Sequence, residues 1–157
     1  MSKNLYITTT EPRSGKSVIA LGLMELLHQD VQKIGFFRPI ITDDKGMDKD
    51  IELIKNYYNL DFSYEAMYGC TLKEAQDFHT TGRRDEMIDV ILKSYNAFEK
   101  NCDYVVLEGT DFAGNGHTFE FNLNLEIAAN LGANLFLVIN GFEKSVDDII
   151  SAMSIIT

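Results

Sequence analysis

The sequence predicts an α/β domain: a mostly parallel sheet with helices on both faces. Three observations predict it. Short β-prone runs alternate with helix-period segments along the chain, and such alternation implies crossover connections between parallel strands. Tyr104-Val105-Val106-Leu107 is continuously apolar, as in a strand buried on both faces, and Leu135-Phe136-Leu137-Val138-Ile139 is the strongest strand in the chain. A glycine-lysine-serine turn separates the first strand from the first helix. With 157 residues, 45% of them apolar, the chain is read as one domain, 1–157, with its own core.

Leu5-Tyr6-Ile7 opens the sheet and leads into a polar loop, Thr8 to Ser14. From Gly15 to about Gln29 the pattern is helical, with Ile19, Leu23, Leu26 and Leu27 on one face and Ala20 and Met24 widening it. So broad a stripe suits a helix pressed between a sheet and a neighbouring helix. Lys33-Ile34-Gly35-Phe36-Phe37 is a second strand, expected to stop at Arg38-Pro39 because proline cannot donate to a ladder. A loop from Thr42 to Met47 precedes a helix from Lys49 to about Tyr58.

Residues 59–82 carry a weaker pattern, within which Thr71 and Glu74 form a capping box for a short helix reaching Phe78. A clearer helix spans Asp85 to Glu99, its apolar positions Ile88, Ile91, Tyr95 and Phe98 recurring at threes and fours. After the Tyr104 strand, Glu108-Gly109-Thr110-Asp111 turns away. Phe121 to Leu131 is helical, with Asn122 or Asn124 as cap and Gly132 just past its end. Ser145 opens a last helix with Asp147 and Asp148 in its first turn, its expected buried face Val146, Ile149, Ile150, Met153 and Ile156. The chain stops on an apolar helical face at Ile155-Ile156-Thr157, where few natural domains finish. The expectation is an N-terminal piece of a longer protein, with part of its sheet still to come.

Thr10-Glu11-Pro12-Arg13-Ser14-Gly15-Lys16-Ser17 follows the phosphate-loop pattern G-x-x-x-x-G-K-[ST], with Thr10 in place of the first glycine. Gly15 lets the backbone approach a phosphate, successive N–H groups form an anion nest, and the helix start adds its positive dipole end. Lys16 would reach the outer phosphates and Ser17 would ligate Mg²⁺. Arg13 either grips phosphate or lies in solvent. The context makes the fold P-loop NTPase-like, a three-layer sandwich, with a nucleotide such as ATP or ADP plus Mg²⁺ as candidate ligand.

Glu108 ends a strand where such folds place an acid that holds Mg²⁺ directly or through water. Ligands of open α/β sheets sit beyond the carboxyl ends of the strands, so Lys16, Arg38, Glu108 and Asn140 should share one edge. Asp48 and Asp50 are read first as helix-start acids and second as contributors to that site. His28, His79 and His117 share no ligand spacing, and no Ser/His/Asp or Cys/His set assembles. Gly114-Asn115-Gly116-His117 is either a closing loop or a simple turn. Cys70 and Cys102 have neither metal nor redox spacing, as for reduced thiols in a cytoplasmic protein. A net charge of −10 argues against nucleic acid and anionic membranes as partners. No apolar run approaches the ~20 residues of a membrane span, and nothing resembles a signal peptide.

Taken in order, the Thr10–Ser17 loop, Arg38-Pro39-Ile40, Glu108-Gly109-Thr110-Asp111-Phe112 and Phe121-Asn122 through Ala128-Ala129-Asn130-Leu131-Gly132-Ala133 resemble the N-terminal domain of long-form bacterial phosphate acetyltransferases. That domain is related to dethiobiotin synthetase, and the resemblance covers essentially the whole chain. It implies a dethiobiotin synthetase-like fold in which Thr10, Glu11, Arg13, Ser14, Gly15, Lys16, Ser17 and Arg38 face the ligand and Ser17 and Glu108 the metal. It also implies a parent enzyme that interconverts acetyl-CoA plus phosphate with acetyl phosphate plus CoA. The catalytic work would fall to a C-terminal domain of the same chain, leaving this part regulation and homo-oligomer assembly. Two other readings are an ATP- and Mg²⁺-dependent dethiobiotin synthetase-like ligase and a P-loop scaffold that binds nothing. Against the ligase stands Arg38, where the synthetases carry a substrate-binding lysine before proline; a planar guanidinium does not replace a compact ammonium.

Overall fold

The computed structural model describes residues 3–11, 14–42, 46–110 and 117–154, except the side chains of 117–119 and 152. Expectations for Arg13, Asp111-Phe112, the loop at 114–116, the His117 side chain and Ile155-Ile156-Thr157 lie outside the described residues.

Five strands, β1 (Asn4–Thr9), β2 (Ile34–Ile41), β3 (Tyr68–Thr71), β4 (Tyr104–Glu108) and β5 (Asn134–Val138), form one sheet in the order β3-β2-β4-β1-β5. Every pairing is parallel: Ile7 lies opposite Glu108, Phe37 opposite Leu107, Arg38 opposite Tyr68 and Ile7 opposite Phe136. Helices α1 (Lys16–His28) and α2 (Lys49–Tyr57) pack against the sheet at β1, β4 and β2. Helices α3 (Leu72–Thr80), α4 (Arg84–Glu99) and α5 (His117–Asn130) touch one another and reach β3, β2, β1 and β5. Right-handed crossovers send these two sets to opposite faces, because the chain moves outward across the sheet through α1 and α2 and back through α4 and α5. Helix α6 (Val146–Met153) follows β5. This is the expected three-layer, P-loop NTPase-like α/β fold.

The core is aromatic and branched: Tyr6, Phe36, Phe37, Tyr95, Ile7, Ile91 and Val106 are all buried. β4 is buried on both faces as its apolar run predicts. The box at Thr71 and Glu74 forms in full, and Gly132 takes the left-handed conformation (φ 59°) just past α5.

Four expectations are corrected. β2 does not stop at Pro39 but runs to Ile41. Arg38 and Ile40 pair with β3, and Phe37 is the last residue paired with β4. The N–H that Pro39 lacks therefore falls where neither ladder needs a donor. That continuation depends on β3, four residues long, which the weak pattern of 59–82 did not announce. On α1 the buried stripe is Lys16, Ala20 and Met24, with Leu23 and Leu27 half-buried, whereas Ile19 and Leu26 face outward. Asn122 and Asn124 do not cap α5, which begins at His117. On α6, Val146, Ile150 and Met153 are exposed rather than buried, and Ile149 is half-buried.

Candidate functional site

The carboxyl ends of β1, β2 and β4 converge, and Lys16, Ser17, Arg38 and Glu108 meet there. The loop leaving β1 is drawn in by Ser14, whose Oγ donates to the Glu11 carbonyl at 2.7 Å. Gly15 then takes φ 81°, ψ 19° as the residue before α1, a left-handed conformation that glycine adopts without strain. Its carbonyl accepts the N–H groups of Val18 and Ile19, each at 3.1 Å. No side chain caps the start of α1, so the first-turn N–H groups offer the anion-binding end of a helix. Lys16 is buried at 5% exposure, unusual for lysine. Thr10 Oγ1 is buried with no hydrogen-bond partner among the described residues.

Next to the loop is a buried charge cluster. Ser17 Oγ lies 2.8 Å from Glu108 Oε1 and 3.3 Å from Asp50 Oδ2. A hydroxyl has one proton, and the shorter contact takes it. Glu108 is 1% exposed, and its Oε2 has no partner among the described residues. Arg38, also buried, pairs through Nη1 with Asp48 at 2.6 Å and Asp50 at 3.0 Å. Asp48 is at the same time the cap of α2, its Oδ1 accepting the N–H groups of Asp50 and Ile51 at 3.1 Å each. The helix-start reading of these two acids is therefore right, and Asp50 also joins the site. An open cavity of about 450 Å³ lies beside Arg38, Thr42, Met47, Lys49 and Asp50.

Electrostatics follow from this packing. Desolvation pushes the Glu108 carboxyl up to about 7, and the nearby Asp50 charge adds to the rise; Arg38, Lys16 and the Ser17 hydrogen bond hold it down. Burial alone would lower the Arg38 pKa, but Glu108, Asp48 and Asp50 outweigh it and leave it raised. A cation placed against Glu108 would favour its ionised form, as any nearby positive charge does.

Hard oxygen donors in this arrangement suit Mg²⁺. Ser17 Oγ, Glu108 and Asp50 would hold it, and the unpartnered Glu108 Oε2 is the atom that a cation would satisfy. Among the described residues no group of three or more His, Cys, Asp or Glu side chains has metal-binding spacing. Phosphate oxygens and water would therefore complete the shell.

Asn140 accepts the Phe142 N–H at 2.9 Å and so turns its own loop. From that same loop, Lys144 reaches back to pair with Glu11 of the phosphate loop, a contact that 133 positions of sequence separation conceal. His28 stacks edge-on with Tyr58. Cys70 and Cys102 are free and buried. No helix among the described residues is long and apolar enough to cross a membrane.

Comparison with known proteins agrees with this geometry. The family described as an AAA domain matches residues 3–156. The chain belongs to that family. It is 46% identical over 154 residues to the phosphate acetyltransferase of Nitratidesulfovibrio vulgaris, a match covering 97% of this chain and 22% of that protein. The phosphate acetyltransferase of Synechocystis sp. is 34% identical over 150 residues, covering 94% and 22%. The ATP-dependent dethiobiotin synthetase of Clostridium kluyveri is 22% identical over 118 residues, covering 70% of this chain and 49% of that enzyme. The resemblance to the N-terminal domain of phosphate acetyltransferases, with its kinship to dethiobiotin synthetases, stands on these matches. This AAA domain chain spans 22% of the length of its phosphate acetyltransferase relatives.

Proposed function

We propose that residues 1–157 are a nucleotide- and Mg²⁺-binding regulatory and assembly domain of a phosphate acetyltransferase. The parent enzyme would interconvert acetyl-CoA plus phosphate with acetyl phosphate plus CoA through a C-terminal domain of the same chain, in the cytoplasm and as a homo-oligomer. One observation carries the ligand part. Ser17, in the first turn of an uncapped helix that starts at Gly15-Lys16, contacts Asp50 and the half-satisfied carboxylate of Glu108. In this reading Lys16 and the α1 N–H groups bind the phosphates, Ser17 and Glu108 hold the cation, and the loop Thr10 to Ser14 wraps the phosphate chain. Bound Mg²⁺ would neutralise phosphate charge and fix its orientation. The regulatory part is supported by the phosphate acetyltransferase relatives, of which this chain matches a minor share.

The Arg38 geometry disfavours the ligase reading. A guanidinium already paired with two aspartates has little positive charge left for an anionic substrate. Calorimetric titration with ATP, ADP, NADH and pyruvate, with and without Mg²⁺, tests the proposal. Expected is Mg²⁺-dependent heat with a nucleotide that disappears in Lys16→Ala. No heat at millimolar ligand would sink it and favour a scaffold. Release of ADP on adding diaminopelargonic acid, bicarbonate and ATP would favour the ligase instead.

A further inference from the structure

We infer that Asn124 is a positioning residue of this site: its side-chain amide grips the Thr110 peptide and so sets the course of the chain as it leaves Glu108. The inference rests on the metal-site reading above and adds a residue that touches neither the phosphate loop nor the acids.

Asn124 is on α5 and is 5% exposed. All four hydrogen-bonding positions of its amide are used. Oδ1 accepts the Tyr6 hydroxyl at 2.8 Å and the Thr110 N–H at 3.2 Å. Nδ2 donates to the Thr110 carbonyl at 3.1 Å and the Glu120 carbonyl at 2.9 Å. One side chain thus bonds both sides of one residue, as a neighbouring strand would. It prolongs the β4 ladder just where β1 ceases to supply it, the Gly109 N–H bonding Ile7 at 2.9 Å being the last rung. Thr110 is also tied to β2, its hydroxyl donating to the Ile40 carbonyl.

Gly109 shows how closely the parts are fitted. A Cβ there would lie 2.4 Å from Asn124 Oδ1 and 3.0 Å from the Tyr6 ring, so only glycine admits the amide. Asparagine is a poor helix-interior residue, and its burial is costly unless every polar atom is paired. Leucine, close in size, would leave the Thr110 N–H and carbonyl without this partner. What asparagine adds is the two-sided hold on Thr110, two residues beyond Glu108.

The test uses Mn²⁺ as the probe, titrated calorimetrically into the 157-residue chain with and without ADP. Asn124→Leu should weaken Mn²⁺ binding roughly ten- to a hundredfold, the usual effect of removing a group that orients a ligand. Amide hydrogen exchange at Thr110 should accelerate while Gly109 stays protected. Asn4→Ala is the control, since it removes a different buried amide bonded to the Tyr95 hydroxyl at 2.8 Å. It should lower thermal stability without changing Mn²⁺ affinity. Unchanged Mn²⁺ binding in Asn124→Leu overturns the inference, as does an equal loss in Asn4→Ala, which would make the effect one of global stability. If Asn124→Leu does not fold, Tyr6→Phe decides: it removes the hydroxyl that orients the amide and should weaken Mn²⁺ in the same direction, whereas wild-type affinity refutes the hold. A wild-type chain that binds no Mn²⁺ refutes the metal-site reading instead. The Thr110 exchange data then still decide the grip, which unchanged protection would disprove.

Discussion

Glu108 concentrates the chemistry of the site in one carboxyl group. Burial raises its pKa to about 7 from 4.5, so across that interval the unfolded chain ionises while the folded one holds its proton. The sign follows: this group's stabilising contribution is complete below about pH 4.5 and is lost as pH rises towards about 7. A cation needs the ionised form, so binding must release the proton. Mg²⁺ affinity should therefore rise about tenfold between roughly pH 6 and pH 8 and level off above, as titration calorimetry in two buffers would reveal. A flat profile would mean that Glu108 does not hold the metal. Glu108→Gln should abolish both the metal heat and this dependence. Arg38 lends itself to a harsher test. Replacing it with methionine leaves the buried Asp48 and the half-buried Asp50 without their cation, which should cost about 3–5 kcal/mol in urea unfolding. A loss under ~1 kcal/mol would show that the ion pairs are worth no more than exposed ones.

Among the elements, β2 is the one on which the site depends, for it carries Arg38 and runs to Ile41 only because β3 pairs with its outer half. Its inner half packs closely against α4. A Cβ on Gly35 would lie 2.6 Å from Cys102 Sγ and 2.7 Å from the Phe98 ring. Gly35→Ala should therefore destabilise by roughly 1–3 kcal/mol despite adding a better strand former, the usual penalty of overpacking. Chemical denaturation measures it, and a neutral result would mean that Phe98 and Cys102 have room to move. The element boundaries show where local rules suffice. Thr71 with Glu74 and Ser145 with Asp148 both build capping boxes; the first is visible from residue type alone, and for the second the sequence marks only Ser145 as the helix start. The start of α5 is not, since Asn124 serves a distant peptide rather than its own helix end.

Over the whole molecule the two edges of the sheet differ. At the β5 side, Phe136, Phe142, Val146, Ile150 and Met153 are exposed, an apolar surface of the kind that marks interaction sites in folded proteins. β5 pairs only with β1 among the described strands, and an open edge beside apolar residues invites pairing between chains. We expect concentration-dependent self-association of the 157-residue chain, followed by sedimentation velocity. The double substitution Phe142→Ser and Ile150→Ser should reduce it without lowering the unfolding midpoint. Association that persists in the double variant would place the contact elsewhere. The net charge of −10 opposes this association at low salt, so added salt should strengthen it.

The sequence by itself determined the alternation of strands and helices, the β4 core strand, the Thr71–Glu74 capping box, and the Gly15-Lys16-Ser17 turn with Glu108 opposite it. Each of these depends on residues within a few positions of one another, or on a sheet topology that handedness constrains. Only the tertiary structure decided that β2 passes through Pro39, that Ile19, Leu26 and the apolar side of α6 face outward, and that Asp50, Lys144 and Asn124 serve the phosphate loop and the Glu108 edge. Those outcomes rest on contacts between residues 14 to 133 positions apart. No local pattern encodes them, because hydrophobic periodicity tells which residues avoid water but not which partner covers them.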